Sequence, residues 1–74
     1  MEILVDRCAL VRSRQARSLT QERVAAAVGL TSSTVSHAES GYYAPQLDTL
    51  ARLARFYGEP IEQFLIYRDE AVAS

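Results

Sequence analysis

The sequence predicts an all-α domain of five short helices, and three observations lead there. Glycine and proline fall at five places only, Gly29, Gly41, Pro45, Gly58 and Pro60, and they divide the chain at short, regular intervals. The pieces between them are rich in Ala, Leu, Arg, Glu and Gln, residues that lose little side-chain freedom in a helix. None shows the sustained period-two alternation of β-branched residues that marks a half-buried strand, so strands are not expected. With 74 residues and no linker, repeat or low-complexity stretch, residues 1–74 read as one domain with a single small core.

The first helix is expected over about Leu4–Arg17. Its apolar residues Leu4, Val5, Cys8, Ala9, Leu10 and Val11 crowd the N-terminal half, and only Ala16 continues them. The second helix opens at Thr20, whose hydroxyl can accept from an otherwise unpaired backbone N–H. Leu19 and Val24 are placed to staple that turn, and Gly29 ends the helix. The third helix repeats the device: Thr31 caps it, Leu30 and Val35 staple it, and Gly41 ends it. A turn of only Gly29 to Thr31 forces these two helices to cross steeply. The fourth helix, Leu47 to Tyr57, puts Leu47, Leu50, Ala51, Leu53, Ala54 and Tyr57 on one face and stops at Gly58. Pro60 opens a fifth helix that carries Ile61, Phe64, Leu65 and Tyr67, and residues 68–74 are expected to fray.

Composition excludes several classes of function. The longest apolar run is five residues, Val24 to Val28, too short for a membrane span or a signal-peptide core, so a cytoplasmic location is the default. One cysteine and one histidine cannot form an internal disulfide or a zinc site. There is also no glycine-rich phosphate loop, hence no catalytic constellation, no cofactor and no evident small-molecule ligand, and the chain reads as a non-enzyme. Net charge is −1, yet all eight basic residues are arginine, a planar fork suited to phosphate or carboxylate. Genome composition explains that usage equally well. Five of the arginines lie in residues 1–40 against four acidic residues, whereas residues 41–74 hold three against five.

Residues 20–40 carry the informative motif. Val24, Val28, Leu30, Val35 and Ala38 are spaced so that two crossed helices share a core. Ala25 is small where they approach, and Gly29 stands where the turn needs positive φ. This pattern is continued by Gly41-x-x-x-Pro45, Leu47-Asp48-Thr49-Leu50, Leu53-Ala54, Gly58 and Pro60-Ile61-Glu62-Gln63-Phe64-Leu65. With Arg14 and Leu19-Thr20-Gln21-Glu22 before it, the chain resembles the Cro/phage-repressor class of helix-turn-helix proteins, also called the xenobiotic-response-element family, over roughly residues 10–65. Ser13 and Ser18 depart from the apolar residue and the glycine usual in that class. The resemblance implies a compact five-helix, lambda-repressor-like domain with the helix-turn-helix at helices two and three, and a C-terminal helix and tail over 60–74.

The resemblance also implies roles for individual residues. The third helix would lie in the major groove of double-stranded DNA, with Ser32, Ser33, Ser36 and His37 toward base edges. Serine both donates and accepts, so it discriminates bases poorly, and His37 is the one side chain there with reach and distinctive chemistry. Gln21 would brace a phosphate at the N-terminus of the second helix, where unpaired N–H groups already favour anions. Thr31, Arg12, Arg17, Tyr42 and Tyr43 are further candidates for phosphate contact. Each of these residues is equally at home on a solvated surface. Arg14 and Glu39 resemble the family's internal ion pair, which would hold the recognition helix at a fixed angle.

Two functions of different class follow. The first is a transcription regulator that binds a palindromic operator as a homodimer, of the controller, phage-switch or autoregulator type. Its dimer surface is expected on the fifth helix, at Ile61, Phe64, Leu65, Ile66 and Tyr67, although those residues also suit the core. The second is an antitoxin-like interaction module whose main partner is another protein.

Overall fold

A computed structural model describes residues 1–68. In chain order these form strand β1 (Glu2–Val5), helices α1 (Arg7–Ala16), α2 (Gln21–Val28), α3 (Ser32–Ser40) and α4 (Leu47–Tyr57), a single 3₁₀ turn (Ile61–Phe64) and strand β2 (Leu65–Arg68). The architecture is four helices with a two-stranded antiparallel ribbon, which corrects the expectation of five helices and no strands. Among the described residues no helix is long and apolar enough to cross a membrane.

The caps explain the middle of the chain. Thr20 Oγ1 accepts from Arg23 N at 3.1 Å to start α2, and Thr31 Oγ1 accepts from Thr34 N at 3.1 Å to start α3. Each such cap is worth about 1 kcal/mol. Gly29, at φ 76°, takes the left-handed conformation that lets Leu30 N reach back to Ala25 O and turns the chain sharply into α3. At the end of α1 the same conformation falls on Ser18, at φ 54°, where the class usually has glycine. The apolar face of each helix then meets in one core. Leu10, Val24, Val35, Leu50 and Phe64 are fully enclosed, with Ala25, Ala38, Leu53, Ala54 and Tyr57 around them. Val5, Leu19, Val28, Leu30, Ile61 and Leu65 close its rim.

Both departures from the expected helices come from one pairing. The first helix starts at Arg7 rather than Leu4, because Asp6 caps it by accepting from Ala9 N at 3.1 Å. The same Asp6 donates its backbone N–H to Phe64 O at 2.8 Å, which seats the start of α1 on the 3₁₀ turn. The segment before Asp6 is thereby aligned with the segment after Phe64. Glu2 pairs with Arg68, Ile3 with Tyr67, Leu4 with Ile66 and Val5 with Leu65. The fifth helix is not formed: after Pro60 the chain makes one turn, buries Phe64 and goes extended. Ile66 and Tyr67, β-branched and aromatic, suit the pleated ladder better than a helix. Of the tail expected to fray, Arg68 belongs to β2 and forms an ion pair with Glu2 at 3.0 Å, while residues 69–74 lie outside the described residues.

Candidate nucleic-acid interface

Helix α3 buries Val35, Ala38 and Glu39. At 100° per residue, Ser33, Ser36, His37 and Ser40 fall on the opposite, outward arc, and Ser32 stands exposed in the first turn. Ser36 and His37 are half-buried by their neighbours, whereas Ser32 and Ser33 are open. The Thr31 hydroxyl is committed to the cap and lies 2.9 Å from Thr34 Oγ1.

The inner edge of α3 is anchored by a polar cluster. Arg14 Nε donates to Glu39 Oε2 at 2.8 Å and Arg14 Nη2 to Glu39 Oε1 at 3.0 Å, a fork-on-fork pair with only 15% and 6% of the two side chains exposed. Arg14 Nη1 also donates to Leu19 O at 2.8 Å, and Gln21 Nε2 donates to Glu39 Oε1 at 3.1 Å. Four side-chain donations therefore tie the end of α1, the start of α2 and the end of α3 together. The hydrogen bonds to Glu39 push the Arg14 pKa above its ordinary value, so the guanidinium stays charged. Gln21 reaches this cluster from the first position of α2, so the residue read as a phosphate brace is fixed from behind.

The outer end of α3 has a second anchor. Gly41, at φ 80°, reverses the chain, and the N–H groups of Gly41 and Tyr42 both donate to His37 O at 3.2 Å. The reversal folds Tyr42 and Tyr43 over His37. Their ring centroids lie 4.6 Å and 5.3 Å from the imidazole, and 5.9 Å from each other. Arg7 Nη1 donates to Ser40 O at 3.1 Å and satisfies one of the helix's last carbonyls. Glycine is favoured at position 41 by its φ of 80°, and a Cβ there would stand 2.9 Å from Cδ of the exposed Arg7 side chain, which would have to move aside. Arg7 was not among the sequence candidates. Its link to Ser40 spans 33 positions and leaves no local signal.

Other candidates are placed differently. Arg17 is tied back onto its own fold, with 38% of its side chain still exposed. It donates to Ser13 O at 2.8 Å and to Tyr57 O, pairs with Glu59 at 3.3 Å, and lies over the Tyr57 ring at 5.2 Å. Ser13, buried where an apolar residue is usual, donates to the same Glu59 at 2.7 Å. Arg12 stands exposed on α1. Phe64 leaves the dimer surface, since it is enclosed at the centre of the core. Ile61 and Leu65 are half-buried against that core.

The ribbon exposes apolar residues on both faces. Leu4 (36%) and Ile66 (40%) lie on one, Ile3 (58%) and Tyr67 (54%) on the other. Ile3 and Leu4 are not among the surface candidates of the sequence, because Leu4 is expected in the first helix and Ile3 stands before it, outside every expected element. Among the described residues no group of three or more His, Cys, Asp or Glu is arranged to hold a metal ion.

Comparison with known proteins fits this geometry. A family model described as Helix-turn-helix matches residues 10–64. An uncharacterized HTH-type transcriptional regulator of Methanocaldococcus jannaschii is 37% identical over 57 residues, which cover 77% of this chain and 86% of that protein. The cryptic phage CTXphi transcriptional repressor RstR of Vibrio cholerae is 40% identical over 52 residues. That match covers 70% of this chain but 47% of the repressor, so about half of the repressor lies outside the match.

Proposed function

This chain belongs to the helix-turn-helix family, of the Cro/phage-repressor type, and we propose from that premise that it is a sequence-specific DNA-binding transcription regulator. It carries no catalysis of its own and acts as a repressor, by occupying an operator in double-stranded DNA. The observation that carries this reading is the presentation of α3. Its outward arc of Ser33, Ser36 and His37, with Ser32 at its start, is held at both ends by anchors that do not use those side chains to make the core. Thr31, the N-terminus of α2 with Gln21, exposed Arg12, and Tyr43 in the loop after α3 supply phosphate contacts around it.

The operator is palindromic and the protein binds it as a homodimer. One helix reading bases with serines and a histidine supplies little specificity, and two copies double the contact set. Half-sites then lie about one helical turn, roughly 34 Å, apart. The surface for the second copy is the ribbon, through Ile66 and Tyr67 with Ile3 and Leu4, while Ile61 and Leu65 support it from the core side. The same apolar ribbon is what favours the antitoxin-like alternative, with another protein in place of the second copy.

Selection from a randomised duplex pool tests the reading, followed by mobility shifts of the selected site at low and high salt. Enrichment of a two-fold symmetric sequence, with affinity falling steeply as salt rises, is expected. Retention of all sequences alike overturns sequence-specific binding. Absence of DNA retention together with co-purification of a second protein supports the interaction-module reading instead.

A further inference from the structure

The loop after the recognition helix folds two tyrosine rings onto the one strong base-reading candidate of that helix. His37 sits on the outward arc of α3, where an imidazole carried by a single Cβ would otherwise sample several rotamers. Tyr42 lies against it at 4.6 Å and 35°, and Tyr43 meets it edge-on at 5.3 Å and 67°. The two tyrosines also touch edge-on at 5.9 Å and 62°, so the three rings form a closed triangle. Backbone geometry enforces the arrangement. The left-handed Gly41 and the paired donations of Gly41 and Tyr42 to His37 O fix where the loop leaves the helix. Tyr42 N also donates to Ser40 Oγ at 3.3 Å, and Ser40 Oγ donates to His37 O at 3.2 Å. Tyr42 is nonetheless 76% exposed, so its ring contributes almost nothing to the core.

From this we infer that Tyr42, backed by Tyr43, is a positioning residue for base recognition, holding the His37 imidazole in one orientation before DNA arrives. The inference rests on the proposed DNA-binding reading and changes one expectation from the sequence. Tyr42 acts through its ring on a neighbouring reader, and its hydroxyl is not required for contact with the DNA backbone. An aromatic pair of this kind favours the stacked rotamer by about three- to tenfold. That preference removes a fixed share of the ordering cost at binding.

The test uses the full chain and a duplex enriched by it from a randomised pool. The base preference of wild type, Tyr42→Phe, Tyr42→Ala, His37→Ala and the double variant Tyr42→Ala/His37→Ala is measured on a panel of single-base changes to that duplex. Tyr42→Phe is expected to keep both affinity and preference within about twofold, because the ring remains. Tyr42→Ala is expected to lose about three- to tenfold of preference at the base pair where His37→Ala loses its own, and nowhere else. In the His37→Ala background the further loss disappears, because the tyrosine has no reader left to position. A uniform loss for Tyr42→Phe, with a shallower salt dependence, would place the hydroxyl on a phosphate and overturn the inference. So would unchanged preference in Tyr42→Ala. Proton NMR of the free protein gives a readout without DNA: the His37 ring protons should be shifted upfield and should return toward random-coil positions in Tyr42→Ala. If those shifts are as expected but wild type enriches no sequence, it is the DNA-binding reading that falls, and the positioning role with it. If wild type is selective and the shifts are absent, only the positioning role falls.

Discussion

Three serines and one histidine make up the base-facing candidates of α3, and their chemistry is unequal. A serine hydroxyl accommodates several base edges, whereas His37 offers a longer reach and a ring with distinct donor and acceptor nitrogens. His37→Ala is therefore expected to relax preference at one base pair by about 1–3 kcal/mol, measured on a single-base operator panel. A loss spread evenly over the panel would make His37 a backbone-positioning residue instead. The Arg14–Glu39 pair works behind the interface. Removing Arg14 strands a nearly buried carboxylate, so Arg14→Ala should cost on the order of 3 kcal/mol of folding stability. A thermal double-mutant cycle with Glu39→Ala should show strong coupling, and additive losses would mean that the two groups do not interact. These residues could be singled out in the sequence because each has a fixed place within the motif. The diversion of Arg17 to Tyr57 and Glu59, and the reach of Arg7 to Ser40, depend on which helices become neighbours, and no local spacing encodes that.

The helices that the sequence reading placed well are those bounded by their own chemistry. Helix α2 follows a threonine cap and ends at a left-handed glycine, as does α3, and α4 ends at Gly58. Helix α1 also has a cap of its own, Asp6, but the apolar residues Leu4 and Val5 before it mask that start in the sequence. The segment after Pro60 lacks such autonomy: its conformation is set by a ladder between residues far apart in sequence, and four-residue strands carry too few alternations to be read alone. At the end of α1, Ser18 occupies the left-handed region without the freedom of glycine. The strain there is about 1–2 kcal/mol, and glycine's greater unfolded-state entropy returns part of it. Ser18→Gly is thus expected to stabilise the protein by up to about 1 kcal/mol in denaturant unfolding, with no change in DNA preference. A destabilised variant would show that the serine hydroxyl contributes more there than its backbone costs.

Over the whole molecule, one buried phenol links stability to pH. Burial, with Glu39 nearby, pushes the Tyr57 pKa up to about 12 from an ordinary value of 10.0. The folded state therefore holds this proton more tightly than the unfolded chain. The stability that depends on it is complete below about pH 10 and is lost as pH rises toward about 12, by a few kcal/mol in all. Unfolding followed through that window should show the decline, and Tyr57→Phe should reduce it. Equal declines in both proteins would assign the effect to other groups. Assembly belongs to the same scale. Ile66→Asp combined with Tyr67→Asp places a charge on each face of the ribbon and should convert a micromolar dimer to monomer in sedimentation, with helical circular dichroism retained. A wild type that is monomeric both free and on DNA would remove the dimer and the palindromic operator together.

The pairing of β1 with β2 also has a consequence in time. It closes a loop of about 60 residues, and the entropy of that closure is several kcal/mol, more than a four-residue ladder can repay on its own. The two segments can meet cheaply only after the helices have packed and Phe64 has been drawn into the core beside Asp6. The ribbon is then the last part to form and the first to open. Substitutions within it, such as Leu4→Ala, should leave the refolding rate nearly unchanged and accelerate unfolding, whereas Val24→Ala or Val35→Ala, at the crossing of α2 and α3, should slow refolding. Stopped-flow measurements on the three variants distinguish that order of events from one in which the chain termini join first.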